Sequence, residues 1–147
     1  MNTLVLGIGN PILTDDGVGI RIAQRLKSTA VDVVETSEAG LALLDYVGGY
    51  ERLIIIDSIK TEQGQPGELY RFELGDFKVA TELTSFHGVD IATAFDLGRK
   101  AGYKMPTTVS IYAVAIKDNS TFGEQCTEEI EKKIPSIAQR IIEEEKL

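Results

Sequence analysis

The sequence is poor in the side chains that most metal cages and disulfide frameworks use. Its 147 residues include one cysteine, Cys126, one histidine, His87, and no tryptophan. A single cysteine excludes an internal disulfide and a cysteine-based metal cage. Because the sequence has a single histidine, any chemistry that needs an imidazole must use His87. We expect Cys126 to be a packing residue.

Long apolar runs and basic clusters are also missing. No apolar run approaches the roughly 20 residues that a membrane-spanning helix needs, and the N-terminal "MNTLVLGIG" has neither the basic region nor the cleavage site of a signal peptide. The formal net charge is −8, and no basic stripe with interleaved aromatic residues is present. We therefore expect a cytoplasmic protein that binds neither nucleic acid nor membrane.

The length and the pattern of apolar residues predict a single α/β domain over residues 1–147. Four runs are typical of buried strands, and "ELYRFEL" alternates as a half-exposed, antiparallel edge strand would. Strands that alternate with helices predict a sandwich with a largely parallel sheet. The strands are predicted at residues 3–8, 31–36, 52–57, 68–74 and 107–116. Helices are predicted from about Asp16 to Lys27, from Gly40 to Gly48, over 88–101, and over 121–147, where Pro135 either kinks or divides the last one.

The stretch "GIGNPILTDDGVG", residues 7–19, follows the first predicted strand and has two interpretations. Gly7 and Gly9 fit the start of the dinucleotide-binding pattern Gly-x-Gly-x-x-Gly, but Ile12 occupies the third glycine position. The helix is expected to begin near Asp15, so carboxylates would stand where a phosphate would have to bind. A nucleotide-binding module that uses this loop remains an alternative to a loop that binds a cation.

The adjacent acids Asp15 and Asp16 need not share one role. Asp favours the N-cap position and the first turn of a helix, so we expect Asp15 or Thr14 to cap the helix that follows. Neighbouring residues point about 100° apart on a helix. A capping role for Asp15 would leave Asp16 free to face a cleft.

Asp16, Asp57 and His87 form a candidate site drawn from three separate junctions. Asp57 ends the apolar run "LIIID", and His87 lies in "TSFHGVDIATAF", between a loop and a helix. From position alone, either could equally be a local cap. Sites in parallel sheets lie outside the carboxyl ends of the strands, where Asp16 and Asp57 are expected. Two carboxylates and one imidazole suit Zn, Ni, Co or Mn with coordination positions left open.

Four segments of the sequence resemble one known family. They are "LVLGIGNPILTDDGVGIRIAQRL", "LIIIDSI", "SFHGVDIATAF" and "AVAIKDNSTFGEQCTEEIEKKIP", which occur in the expected order between residues 4 and 135. The sequence thus resembles the maturation endopeptidases of [NiFe] hydrogenases. The resemblance implies a three-layer α/β/α sandwich with a twisted, mostly parallel five-stranded sheet.

The resemblance also implies an activity and a partner. The family removes a C-terminal extension from the precursor of a hydrogenase large subunit after nickel insertion. Matched motif to motif, the nickel-recognition and catalytic residues fall on Asp16, Asp57 and His87, and Asp15 leaves open which acid reaches the metal. The nickel would arrive in the substrate, and we expect a monomer with no tightly bound cofactor. A metal-binding chaperone of the same fold without hydrolysis is a further alternative.

Overall fold

The chain forms a five-stranded sheet with helices on both faces. The computed structural model describes residues 2–38, 40–60, 64–78, 88–117 and 121–147. Its strands are β1 (Thr3–Ile8), β2 (Asp32–Thr36), β3 (Arg52–Lys60), β4 (Leu69–Phe72) and β5 (Thr108–Ile116), in the sheet order β2-β1-β3-β5-β4. All neighbouring strands are parallel except β4, which pairs with β5 in the antiparallel direction at one edge. The predicted sandwich with one antiparallel edge strand is confirmed.

Strand β3 is longer than its apolar run suggests. Its pairing with β1 ends at Gly7↔Ile56, but its pairing with β5 continues to Lys60↔Ile116. Asp57 was predicted to close this strand, and that prediction is wrong because β5 supplies ladder partners for residues beyond the apolar run. Asp57 therefore lies inside β3, just past the last residue paired with β1.

The helices follow the predicted order with shifted ends. They are α1 (Val18–Arg25), α2 (Leu44–Val47), α3 (Gly88–Lys100), α4 (Glu128–Glu131) and α5 (Ile134–Glu145), with 3₁₀ turns at Thr14–Gly17, Leu26–Ser28, Gly40–Leu43 and Leu74–Lys78. The predicted C-terminal helix is divided in two, and Pro135 lies in the first turn of α5. Proline is tolerated there because the first turn of a helix needs no intrahelical N–H bond.

The two faces of the sheet build separate cores. Ile54 and Ile56 pack with residues of α1 and α5, whereas Leu53 and Ile55 pack with residues of α3. Successive side chains of a strand point to opposite faces. Continued along β3, this alternation assigns the side chain of Asp57 to the α3 face and that of Ser58 to the α1 face.

Cys126 belongs to the core on the α1 face, as predicted. It is buried among apolar side chains of α1, α4 and α5. Burial raises the pKa of its thiol to about 11, and the nearby positive charge of Arg21 opposes this only in part. The thiol is therefore protonated at neutral pH, as expected of a packing residue.

A buried ion network fixes the C-terminal helix to the sheet. Arg52, at the start of β3, donates to the carbonyl oxygen of Glu145 (2.6 Å) and to its carboxylate (2.9 Å). The hydroxyl of Tyr112 donates to the other carboxylate oxygen at 2.9 Å. Burial alone would raise the pKa of Glu145. Hydrogen bonds from Arg52, Tyr112 and Ser110, with the charge of Arg52, outweigh burial, so the pKa lies below its ordinary value of 4.5.

Glu145→Ala should lower the free energy of unfolding by about 3 kcal/mol, because it removes the carboxylate that balances the charge of the partly buried Arg52. Urea denaturation measures the change. The control is Glu143→Ala, an exposed residue of the same helix, for which a change within about 0.5 kcal/mol is expected. Equal losses in the two variants would contradict a special role for the network.

The stabilisation by Glu145 should also depend on pH. Its pKa is lower in the folded protein than the unfolded value of 4.5, so its contribution is present above pH 4.5 and is lost as the pH falls through the folded pKa. The stability difference between the wild type and Glu145→Gln should thus be full at neutral pH and shrink in acid. Denaturant titrations across this range test the point, and a difference that stays constant in acid would contradict it.

Candidate functional site

The candidate site lies where β1 ends beside the continuing β3. Strand β1 pairs with β2 on one side and with β3 on the other. The connection that leaves β1 leads to β2 and the connection that leaves β3 leads toward the opposite edge, so the two diverge between β1 and β3. Ligands of open α/β sheets bind at such a point, outside the carboxyl ends of the strands. Asp57 and Ser58 are the first residues of β3 that have no β1 partner in the register.

Two glycines allow the loop after β1 to fold tightly over this point. A Cβ on Gly19 would collide with the carbonyl oxygen of Ile56, so glycine lets α1 lie directly against β3. A Cβ on Gly9 would collide with the carbonyl oxygen of Asp16. These close approaches bring Asp16 against β3 just past its last residue paired with β1.

The same packing weakens the nucleotide-binding interpretation of this loop. The backbone of Asp16 occupies the space above Gly9, and the Gly9 N–H donates to the carbonyl of Thr36 at 3.0 Å. A phosphate cradle needs open space and free N–H groups at its glycines. The described loop offers neither at Gly9.

Hydrogen bonds hold the carboxylate of Asp16 in place. One oxygen accepts from the backbone N–H of Asn10 at 2.9 Å, and the other accepts from the hydroxyl of Ser58 at 3.1 Å. Asp16 remains partly exposed. Its side chain is therefore positioned by protein groups and still accessible to a ligand.

Ser58 connects Asp16 with Asp57. The carboxylate of Asp57 is fully buried and accepts from the backbone N–H of Ser58 at 2.8 Å. The strand alternation assigns Asp57 to the α3 face, whereas Ser58 reaches Asp16 on the α1 face. Both predicted acids thus bond Ser58, Asp57 at its backbone N–H and Asp16 at its hydroxyl. Sequence reasoning missed Ser58, although it directly follows the acid in "LIIIDS".

Asp15 has a different environment. It is buried, and its two carboxylate oxygens accept from the backbone N–H of Thr127 (2.7 Å) and from the hydroxyl of Thr127 (3.1 Å). Asp15 therefore joins the first loop to the segment that precedes α4. Of the two adjacent acids, Asp16 is the one directed at β3.

The prediction that Asp15 or Thr14 caps α1 is wrong. The residue before α1 is Gly17, and no side chain caps it. The Thr14 hydroxyl instead bonds the carbonyl of Thr121. A 3₁₀ turn (Thr14–Gly17) separates the loop from α1 and moves the cap position past both residues.

The prediction for His87 lies outside the described residues, so the three-residue set has no observed geometry. Among the described residues, no group of three histidine, cysteine or acidic side chains is arranged to hold a metal ion.

The direction of α3 follows from the elements that it connects. It begins at Gly88, the residue after His87 in the sequence, and ends at Lys100. Strand β5 follows it and begins at the amino edge of the sheet. A helix of 13 residues is about 20 Å long, so α3 begins toward the carboxyl edge.

No helix in the described part of the chain is long and apolar enough to cross a membrane.

Residues 18–144 match the family model described as HycI: Hydrogenase maturation protease. Asp57 and His87 lie inside the matched residues, and Asp16 lies just before them. The chain is 35% identical over 74 residues to Hydrogenase 2 maturation protease of Escherichia coli (strain K12), a match that covers 47% of this chain and 45% of that protein. The chain thus aligns with less than half of this curated relative.

Solved structures agree with the observed sheet. The hydrogenase maturating endopeptidase HybD from E. coli is 26% identical, with a TM-score of 0.76, over 97% of this chain and 90% of that one. The fold is also that of the [NiFe] hydrogenase maturation protease HybD from Thermococcus kodakarensis, with 21% identity and a TM-score of 0.73 over 97% and 98% of the two chains. Since the family match spans most of its length, the chain belongs to the hydrogenase maturation protease family, a family of peptide-bond hydrolases.

Proposed function

We propose that this protein is the endopeptidase that removes the C-terminal extension of a [NiFe] hydrogenase large-subunit precursor after nickel insertion. The observation that carries the proposal is that Asp16 and Asp57 both bond Ser58 at the crevice between β1 and β3. Family membership supplies the reaction class. The position of the acids supplies a place where a substrate-borne cation and the peptide next to it can bind.

In this proposal, Asp16, Asp57 and His87 recognise the nickel that the substrate carries. Oxygen and nitrogen donors suit a borderline divalent metal, and three protein ligands leave positions for ligands of the precursor. The formal net charge of −8 further favours a cationic ligand. His87 directly precedes α3, the helix that packs on the face assigned to Asp57. No resident cofactor is required.

Nickel recognition would place the scissile peptide beside the two acids. Hydrolysis adds water to the carbonyl carbon, breaks the C–N bond and transfers a proton to the leaving amine. The substrate's nickel polarises the carbonyl or a bound water, and a carboxylate can accept the proton of the attacking water. Asp16 suits that role because it is partly exposed, whereas Asp57 is fully buried.

The setting of the reaction follows from the same proposal. Residues 1–147 act as one domain, and the enzyme works as a monomer in the cytoplasm. Its partner is the precursor, and it binds neither nucleic acid nor membrane.

Mass spectrometry of the precursor tests both the hydrolysis and the metal dependence. After incubation with the enzyme, nickel-loaded precursor should lose a C-terminal peptide, whereas nickel-free precursor should keep its full mass. Equal shortening of the two forms would reject nickel recognition. A nickel-loaded precursor that binds and stays intact would reject hydrolysis and favour the chaperone alternative.

Substitutions should distinguish the proposed site residues from the adjacent Asp15 by their effect on cleavage. Asp16→Asn, Asp57→Asn and His87→Ala should each lower kcat/KM for nickel-loaded precursor by about 100-fold or more, because each removes a group that contacts the metal or the reacting water. Asp15→Asn is the matched control, since it removes the neighbouring charge while its amide oxygen can still accept from the Thr127 N–H. It should lower the free energy of unfolding by about 1 kcal/mol and leave cleavage nearly unchanged.

Undiminished cleavage by His87→Ala would remove the histidine from the mechanism. The reverse pattern for the adjacent acids, with Asp15→Asn inactive and Asp16→Asn active, would assign the metal-facing role to Asp15.

A further inference from the structure

Two large apolar side chains are exposed at the edge of the sheet that carries the candidate site. Ile12 is 49% exposed and Phe122 is 78% exposed. Ile12 lies in the loop after β1, and Phe122 lies in the segment between β5 and α4. Single exposed apolar residues are ordinary on protein surfaces, so their significance depends on how they are arranged.

Backbone pairing places these two residues side by side. Leu13 and Gly123 form an isolated parallel bridge. The Gly123 N–H donates to the carbonyl of Ile12 at 2.9 Å, and the Thr14 N–H donates to the carbonyl of Gly123 at 3.1 Å. In parallel register, Ile12 is the neighbour of Phe122, with backbones about 4.8 Å apart. We call these two residues the apolar pair.

The apolar pair is held by contacts on both sides of it. The Thr14 hydroxyl bonds the carbonyl of Thr121, and Asp15 accepts two hydrogen bonds from Thr127. Thr14 takes a φ of 41°, a left-handed conformation that β-branched residues rarely adopt and that these bonds maintain. A surface ordered before binding loses less conformational entropy when a partner binds.

We propose that the apolar pair binds an apolar segment of the precursor beside its nickel centre. This inference rests on the proposed function, because it names the part of the substrate that docks there. The apolar pair is continuous with the candidate site, since Ile12 and Asp16 lie in the same anchored loop. The carboxylates attract a cation, and the apolar pair next to them fits uncharged residues of the same occupant.

The remaining large apolar side chains that are exposed on the described residues are Leu41, Leu97 and Tyr103. Tyr103 is 50% exposed and lies after α3, on the way to the amino edge where β5 begins. It therefore provides a matched control, being large, apolar and exposed but near the other edge of the sheet.

The experiment compares Phe122→Ser, Ile12→Ser and Phe122→Leu with Tyr103→Ser. Nickel-loaded precursor is the probe, with affinity measured by biolayer interferometry and cleavage measured by steady-state kinetics. Both serine variants at the apolar pair should raise Kd and KM by roughly tenfold and change kcat by less than about twofold. Phe122→Leu should retain most of the affinity, and Tyr103→Ser should match the wild type.

Thermal unfolding of each variant verifies that it is folded. A Kd for Phe122→Ser and Ile12→Ser equal to that of Tyr103→Ser would overturn the inference. A wild type that binds the precursor without cleaving it would reject the proposed function. In that case, loss of binding in the two serine variants would still support the docking role of the apolar pair.

Discussion

The contact between α1 and the middle of β3 is the constraint on which the candidate site depends. Gly19 lies so close to the carbonyl oxygen of Ile56 that no side chain fits between them. Because the helix starts this near the sheet, the loop before it must fold back over Gly9, and the carboxylate of Asp16 then meets Ser58. A bulkier residue at Gly19 would move the helix and, with it, the acid.

Two neighbouring acids in this loop have separate roles. Asp15 is buried and bonds Thr127, which ties the start of the chain to a segment more than a hundred residues later. Asp16 takes its hydrogen bonds from Asn10 and Ser58 and stays partly exposed. The anchoring by Asp15 holds the turn that presents Asp16, and the same segment carries Phe122 to the side of Ile12.

Charge is distributed differently at the two edges of the sheet. Near the amino edge, Glu145 is enclosed by Arg52 and Tyr112, so its negative charge is compensated within the fold. At the carboxyl edge, the carboxylate of Asp16 accepts from two neutral donors, the N–H of Asn10 and the hydroxyl of Ser58. Neutral donors orient a carboxylate without cancelling its charge, which leaves Asp16 suited to the cation of the proposed function.

The sequence alone predicted the sandwich and its antiparallel edge strand, because the period of apolar residues reports which faces are buried. It also predicted that Cys126 is a packing residue, because this cysteine is far from the site motifs in the sequence. It also proposed Asp16 and Asp57 as site residues from their motifs, and the structure shows that both bond Ser58. It could not predict the length of β3 beyond its apolar run, since the pairing partner lies in β5. Nor could it tell a local cap from the bond between Asp15 and Thr127. Only the tertiary structure decided these points, together with the bridging role of Ser58 and the pairing of Ile12 with Phe122, because each depends on groups far apart in the chain.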